Sequence, residues 1–155
     1  MDLPTFRAIA GFAAAFHYRV SGDSMEPTYR PGDILLVDRM SMSCIWPSRG
    51  DVIVLLDPRD HASQLLKRVV AVQGDKVEFV DGILLVNGDP IDESYLHGLP
   101  PTLGLVNDSW DIQEHSFFVL GDNRAKSTDS RKFGPFPANG IVGRVKFRYW
   151  PVCRW

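Results

Sequence analysis

The feature that most constrains the fold of this chain is a pair of short apolar runs joined by the dipeptide Asp81-Gly82. Val77 to Val80 precedes the dipeptide and Ile83 to Val86 follows it. A two-residue Asp-Gly connection between such runs is the strongest short-range signal for a β-hairpin. Asn87-Gly88 predicts a second tight turn directly afterwards. With 13 glycines, 11 prolines and many short β-branched runs, the chain is predicted to be mostly β, with small coiled sheets in a barrel-like arrangement.

Further strands are predicted where apolar runs lie between turn residues. They are Phe16 to Val20, Asp33 to Asp38, Val52 to Leu56, Gln64 to Val72, Ser116 to Leu120 and Ile141 to Trp150. Phe133 to Pro137 is predicted to be a rigid connector, because it holds two prolines and a glycine. Residues 97–108, with two prolines and two glycines, are predicted to form a surface loop.

Composition limits the classes of partner. The 155 residues are 45% hydrophobic and carry a net charge of -2, which suits one domain with its own core. A near-neutral chain lacks the basic face that nucleic-acid binding needs, so no nucleic-acid partner is expected. Cys44 and Cys153 have no zinc-site spacing, and no metal or other cofactor is expected. Their apolar surroundings favour two buried thiols over a disulfide.

Residues 1–19 are predicted to be a short apolar segment that precedes the main domain, residues 20–155. Ala8 to Phe16 is apolar, but it is flanked by Arg7 and His17. A membrane-spanning helix needs about 20 apolar residues, so this run is too short to span by itself. A core helix, an interfacial anchor and the remnant of a membrane anchor all fit the pattern, and the sequence leaves the three alternatives open.

The run Ser21 to Thr28 holds the first candidate catalytic residue, Ser24. Pro27 fixes its own φ and biases Glu26 towards an extended conformation, so Ser24 is predicted to lie exposed on a held, non-helical segment. A serine hydroxyl needs a base to become a nucleophile. Lys67, inside an apolar strand, can act as that base if desolvation lowers its pKa from about 10.4 to roughly 7–8.

Several motifs in a fixed order carry a family resemblance. They are Gly22 to Thr28 (GDSMEPT), Arg49 to Ile53 (RGDVI), Lys67-Arg68-Val69, Gly74-Asp75 and Gly121 to Arg131 (GDNRAKSTDSR). From about Val20 to Pro151 the chain resembles type I signal peptidases, the serine–lysine endopeptidases that remove signal peptides from exported proteins, and their mitochondrial inner-membrane relatives. Each motif alone is a weak signal, whereas all of them in this order are very specific.

The resemblance assigns roles at the reacting centre. Ser24 matches the family nucleophile and Lys67 the general base. Ser127 matches the serine that hydrogen-bonds and orients the lysine amine. The Ser24 backbone amide is the natural first donor to the oxyanion. Gly22 stands where some members have a serine whose hydroxyl is the second donor, so that donor stays open.

The resemblance also implies supporting residues. Asp129 and Arg131 match a pair that braces the loop, and Arg68 is expected to be a partner of Asp129. Plain loop capping is an equally good interpretation of Asp122, Asn123 and Asp129 in this loop. The histidines have no partner pattern for a histidine-based triad and are interpreted as surface or satisfied polar residues: His17, His61, His97 and His115.

The implied substrate is the signal peptide of an exported preprotein, with small residues (Ala-x-Ala) before the cut. Such a peptide would add a strand near Ser24, with shallow apolar pockets expected near Leu35, Leu36 and Tyr18. The family works at the cell (inner) membrane with its catalytic domain on the extracytoplasmic face. Contact with the lipid surface and packing in the core are equal alternatives for five apolar residues: Met25, Met40, Met42, Ile45 and Trp46.

Two rival functions stay open. One is a maturation protease of the same fold with a narrow substrate, such as a conjugation-pilus processing enzyme or a self-cleaving repressor domain. A self-cleaving protein would carry a DNA-binding domain, and this sequence shows none. The other is a non-catalytic β module that binds peptides or lipids. The presence of both Ser24 and Lys67 argues against that module.

Overall fold

The computed structural model describes residues 15–39, 46–60, 62–96, 98 and 108–151. These residues form a mostly β fold, which confirms the predicted class. The strands are β1 (Ala15–Arg19), β2 (Ile34–Asp38), β3 (Val52–Leu56), β4 (Gln64–Val72), β5 (Lys76–Val80), β6 (Ile83–Val86), β7 (Asp89–Pro90), β8 (Ser109–Asp111), β9 (Ser116–Leu120), β10 (Phe136–Pro137) and β11 (Ile141–Trp150). One helical turn, α1 (Ser130–Phe133), and 3-10 turns at Ser94–Leu96 and Ala138–Gly140 complete the described elements.

The strands form two antiparallel sheets. The larger has the order β1-β2-β11-β3-β4-β9-β10, and the smaller has the order β7-β6-β5-β8. The long strand β11 pairs with both β2 and β3, and its register shifts at several points indicate bulges. Bulges bend a sheet and increase its twist. The sheet curls far enough for the hydroxyl of Tyr18 in β1 to lie 3.5 Å from the carbonyl oxygen of Gln64 in β4.

The hairpin predicted from Asp81-Gly82 is present. Val77 pairs with Val86, and Val80 pairs with Ile83. Asp81 has a φ of 50° and Gly82 a φ of 81°, the positive values that a tight hairpin turn requires. The second predicted turn is also present, since Asn87-Gly88 has φ values of 58° and 86°.

Several short elements differ from the sequence prediction, among them β7 and α1, which were not predicted. The predicted connector Phe133 to Pro137 begins as the last residue of α1 and ends as β10, which pairs with β9. β8 was not predicted and pairs with β5. Most of the predicted loop at 97–108 lies outside the described residues, as do Cys44, Cys153, His61 and residues 1–14.

Among the described residues, three clusters of buried side chains form the core. One lies between the smaller sheet and strands β4 and β9. A second packs on β3, β4, β9 and β10. The third contains Met25, next to Ser24 in sequence, together with Leu35 of β2 and Leu66 of β4. The third cluster therefore supports the segment that carries Ser24.

The predicted N-terminal segment, residues 1–19, lies mostly outside the described residues and stays a prediction. Ala15 and Phe16 belong to β1, while the rest of the apolar run lies outside the described residues. In the described part of the chain, no helix has the length and apolar character needed to cross a bilayer.

Candidate active site

Ser24 and Lys67 meet at the surface of the larger sheet. Lys67 Nζ lies 2.8 Å from Ser24 Oγ and also donates to the carbonyl oxygen of Leu66 at 2.8 Å. Lys67 is only 2% exposed, whereas Ser24 is partly exposed. The strand register places Lys67 opposite Ile53 and Arg68 opposite Val52. Because successive strand residues point to opposite faces, the two cations are kept apart.

The environment of Lys67 favours the neutral amine. Burial is the main cause and lowers the pKa of Lys67 from 10.5 to about 8. The carboxylates of Asp129, Asp57 and Asp122 act in the opposite direction and raise it. With a pKa of about 8, roughly a tenth of the molecules hold a neutral lysine at pH 7. A base with this pKa can accept a proton from a serine hydroxyl near neutral pH.

The loop after β9 holds the serine segment in place. The backbone amide of Asn123 donates to the Ser24 carbonyl oxygen at 2.9 Å, and its side-chain amide donates to the Asp23 carbonyl oxygen at 3.1 Å. Thr28 Oγ1 donates to Asp122 Oδ2 at 2.6 Å. Contacts on both sides of Ser24 therefore fix its position relative to the loop.

Asp122 connects this loop to β4. Its carboxylate accepts two hydrogen bonds from Arg68, at 2.9 and 2.7 Å, and both side chains are largely buried. The Arg68 guanidinium also lies 4.1 Å from the ring centroid of Tyr95, in a cation–π contact. The expectation that Arg68 pairs with Asp129 is therefore wrong. Tyr95 was not singled out from the sequence, because nothing local indicates which side chain covers Arg68.

Asp129 and Arg131 form a second ion pair within the loop. Arg131 donates to the fully buried Asp129 carboxylate at 2.8 and 2.9 Å and also to the Arg124 carbonyl oxygen at 2.8 Å. Asp129 accepts from the Gly121 amide at 3.0 Å and caps α1. Burial raises the pKa of Asp129, but the bonds from Arg131 and Gly121 outweigh it and hold the pKa below its ordinary value.

Ser127 lies beside the nucleophile segment in an unexpected arrangement. Its hydroxyl is buried and meets no partner with hydrogen-bond distance and angle in the described part of the chain, although it lies close enough to the Asp129 carboxylate to help lower the pKa of that group. The expected hydrogen bond to Lys67 is absent, because the amine donates to Ser24 and Leu66 instead. A Cβ at Gly121 would lie 2.2 Å from Ser127 Oγ and 2.5 Å from the Ser24 carbonyl oxygen. Glycine at 121 therefore lets the loop approach Ser24 closely.

The remaining predicted site residues differ in exposure. Gly22 is exposed, and a Cβ there would meet no atom within 4 Å. Tyr18 is partly buried, and Leu36 retains 9% of its surface. Leu35 has no exposed surface, so its expected place beside a substrate pocket is wrong. The strand alternation turns it into the core cluster beneath Ser24.

Among the described residues, two strand edges beside the reacting pair have no strand partner, and the gap between them is called the slot below. Within the described residues, β1 is an edge strand that pairs only with β2. Residues 64–67 of β4 pair only with β3, since β9 pairs with β4 from Arg68 onward. Tyr18 and Gln64 approach each other across this gap. Two unpaired strand edges beside Ser24 and Lys67 offer backbone groups to an added strand.

Other predicted surface residues fall into two groups. Met25 is 1% exposed and packs in the core, whereas Trp46 is 51% exposed. Met40, Met42, Ile45 and His97 lie outside the described residues. His17 and His115 are exposed. His17 hydrogen-bonds Tyr149 at 2.9 Å, and neither histidine bonds Ser24.

Known proteins with similar sequences share one description. The family model described as "Signal peptidase, peptidase S26" matches residues 5–150. Signal peptidase I of Bacillus caldolyticus is 38% identical over 149 residues, which cover 87% of this chain and 79% of that protein. Signal peptidase I of Leptolyngbya laminosa is 36% identical over 154 residues, covering 94% of this chain and 73% of that protein.

The solved structures show the same likeness. The crystal structure of a signal peptidase I from Enterococcus faecalis V583 matches with a TM-score of 0.56 at 29% identity. The match covers 63% of this chain and 95% of that chain. The likeness therefore extends from sequence to fold.

Proposed function

This chain belongs to the signal peptidase family, peptidase S26, and from that premise we propose that it cleaves signal peptides from exported preproteins with Ser24 as nucleophile and Lys67 as general base. Family membership makes the chain a serine-protease hydrolase that acts on preproteins bearing signal peptides. The observation that carries the residue assignment is the 2.8 Å contact between Ser24 Oγ and the buried Lys67 Nζ.

The proposed reaction begins with neutral Lys67. Its amine takes the proton of Ser24 as Oγ attacks the carbonyl carbon of the residue before the cut, forming a tetrahedral intermediate. The intermediate collapses when the C–N bond breaks, and protonated Lys67 gives its proton to the departing amine. A water molecule then attacks the acyl-enzyme, with Lys67 again acting as base. Collapse of this second intermediate returns the proton from Lys67 to Ser24 and releases the carboxylic acid, which ionises in water.

Ser127 and the oxyanion donors complete the proposal. When Ser24 loses its proton to Lys67, the resulting ammonium needs an acceptor in a buried place. The buried hydroxyl of Ser127, which can donate to the nearby Asp129 carboxylate and keep its lone pairs for the ammonium, is proposed to supply it and so to orient the amine. The Ser24 amide is proposed as the first oxyanion donor, and Gly22 offers only backbone for the second. Asp129 and Arg131 are proposed to support this geometry through the Gly121 amide.

The substrate is proposed to bind as an added strand in the slot between β1 and residues 64–67 of β4. The partly exposed Tyr18 and the rim of Leu36 are proposed to border the pockets for its side chains. Small residues such as alanine are proposed to occupy the positions immediately before the cut, as in the signal peptides that the family cleaves.

The site of action is proposed to be the cell membrane, with the catalytic domain on the extracytoplasmic face, where signal peptides emerge. The exposed Trp46 supports a contact with the lipid surface, because tryptophan is enriched at membrane–water interfaces.

The test is cleavage of a fluorogenic peptide with an Ala-x-Ala sequence, in detergent, by wild type, Ser24→Ala and Lys67→Met. Both variants should lose at least about a thousandfold in kcat/KM, since each removes one member of a coupled pair. Lys76→Met, which changes an exposed strand lysine, is the matched control and should retain wild-type activity.

The pH profile distinguishes a lysine base from a merely structural lysine. Because only neutral Lys67 can accept the proton, wild-type kcat/KM should rise about tenfold per pH unit below pH 8 and level off above it. Cleavage by a folded Lys67→Met variant at the wild-type rate, or a profile that is flat from pH 6 to 9, would show that the assignment is wrong.

A further inference from the structure

An open cavity of about 300 Å³ lies directly beside the nucleophile segment. Its walls are formed by Glu26, Pro27, Arg30 and Asn123. Glu26 and Pro27 follow Ser24 by two and three residues. Asn123 donates its backbone amide to the Ser24 carbonyl oxygen at 2.9 Å. The cavity therefore shares its wall with the backbone that positions the reacting hydroxyl.

The topology places this cavity at one end of the proposed substrate slot. The slot follows residues 64–67 of β4, where the neighbouring edge is unpaired. β9 occupies that edge from Arg68 onward, and the chain leaves the sheet at Gly121. The unpaired stretch of β4 runs from Gln64 to Lys67, so Lys67 marks one end of the slot and Gln64 the other. Asn123 thus lies near the end marked by Lys67. A peptide whose residues before the cut fill the slot must pass Ser24 and continue towards Asn123 and the cavity.

The charges on the cavity walls are available to a ligand. Within the described residues, the side chains of Glu26 and Arg30 make no hydrogen bond and no ion pair, with each other or with any neighbour. The nearby carboxylate of Asp122 is by contrast fully engaged by Arg68 and Thr28. Glu26 is partly buried and Arg30 is exposed. Two charged side chains of opposite sign, unpaired among the described residues, therefore line the cavity.

We propose that this cavity is the subsite for the first residues after the cut, and that Glu26 and Arg30 select those residues by charge. Glu26 favours a basic side chain there, and Arg30 favours an acidic one. The wild-type enzyme accepts both, because the two charges offset each other. The inference rests on the proposed function, since only a protease that cuts in this slot has a peptide segment on this side.

The test uses three fluorogenic peptides that share the same Ala-x-Ala sequence and carry Lys, Glu or Ser at the second position after the cut. Glu26→Gln should lower the ratio of kcat/KM for the Lys peptide over the Glu peptide by about two- to fivefold, the size of a partly exposed charge pair. Arg30→Gln should raise the same ratio by a similar factor. Glu114→Gln, which removes an exposed carboxylate at the opposite end of β9, is the control and should leave the ratio unchanged.

A second peptide set, with the charged residue moved to the sixth position after the cut, locates the effect. The ratios should then return to the wild-type value in both variants. Active variants whose ratios never change, or ratios that respond to charge before the cut instead, overturn the subsite while the proposed function stands. Failure of wild type to cut any of the peptides contradicts the proposed function and the subsite with it.

Discussion

At the scale of single residues, the closest packing in the site surrounds Gly121. A Cβ at this position would lie 2.5 Å from both Ser127 Cβ and the Ser24 carbonyl oxygen, distances that packed side chains do not adopt. Gly121→Ala should therefore displace the nucleophile segment and lower kcat strongly. It should also cost about 1–3 kcal/mol of stability, as overpacking usually does. Steady-state kinetics and denaturant unfolding of the purified variant measure the two effects.

Gly22→Ala is the matched control for this prediction. It also adds one methyl group to a glycine near Ser24, but a Cβ at Gly22 would meet no atom within 4 Å. Its kcat and stability should stay close to those of wild type. Equal losses in both variants would contradict the packing argument, since they would show that added bulk anywhere near Ser24 is harmful.

The sequence predicts the reacting residues better than their surroundings. Ser24 and Lys67 can be identified because their chemistry requires a held hydroxyl and a desolvated amine. The sequence shows both locally, as the proline that follows Ser24 and the apolar strand that contains Lys67. No local sequence pattern identifies the partner of Arg68. Asp122 and Asp129 both lie in the same acidic loop, and only the three-dimensional path of that loop decides which of them reaches β4. Leu35 was misplaced for a related reason, because strand alternation indicates two faces but not which one is the core.

At the scale of elements, β4 serves both faces of the sheet. It presents Lys67 to the nucleophile on one face and Arg68 to the loop after β9 on the other. Asp122→Asn should leave the largely buried Arg68 without its charge partner, at a cost of about 3–5 kcal/mol. It should also lower kcat, because Asp122 anchors Thr28 and thereby the serine segment.

Asp75→Asn is the control at this scale. Asp75 also pairs with an arginine, Arg49, and accepts the Val72 amide, but it lies at the far end of β4. This variant should lose stability while retaining kcat once it is folded. If kcat falls equally in both variants at temperatures where each is fully folded, Asp122 has no positioning role beyond stability.

The longer elements were predictable because they carry their own signals. β3, β4, β9 and β11 have the bounds expected from their apolar runs and flanking turn residues. β8 and β10 contain only three and two residues, and they are strands only because β5 and β9 lie beside them. Such segments are set by tertiary pairing, which no local pattern records.

At the scale of the whole molecule, the site depends on pairings between distant parts of the chain. β11 lies between β2 and β3, so the last described strand joins the first half of the sheet to the second. The sequence predicts each of these strands but neither their order nor the bulges in β11 that accompany the curl. The curl brings β1 close enough to β4 for Tyr18 to contact Gln64, and the slot is the gap between these two strands.

Global stability should depend on pH because the fold buries the proposed catalytic base. In the unfolded chain Lys67 has its ordinary pKa of 10.5, while in the folded protein it is about 8. Between these values the unfolded state holds a proton that the folded state lacks, so this group's contribution to stability rises with pH from 8 to 10.5. Well below pH 8 both states hold the proton, and burial of the charged lysine then lowers the free energy of unfolding by its full amount, about 3 kcal/mol.

Lys67→Met matches the lysine side chain out to Cε and removes the buried ammonium, so it should be more stable than wild type at pH 7 by up to about 3 kcal/mol, less the two hydrogen bonds that it loses. The advantage should shrink as the pH approaches 10.5, since wild type then folds with a neutral amine at little cost. Urea unfolding of both proteins at pH 7 and pH 10 measures the difference, with Lys76→Met as an exposed control that should show no gain at pH 7. A stability difference between Lys67→Met and wild type that is the same at both pH values would mean that Lys67 is not desolvated in the folded state, and the lysine could not then act as a base near neutral pH.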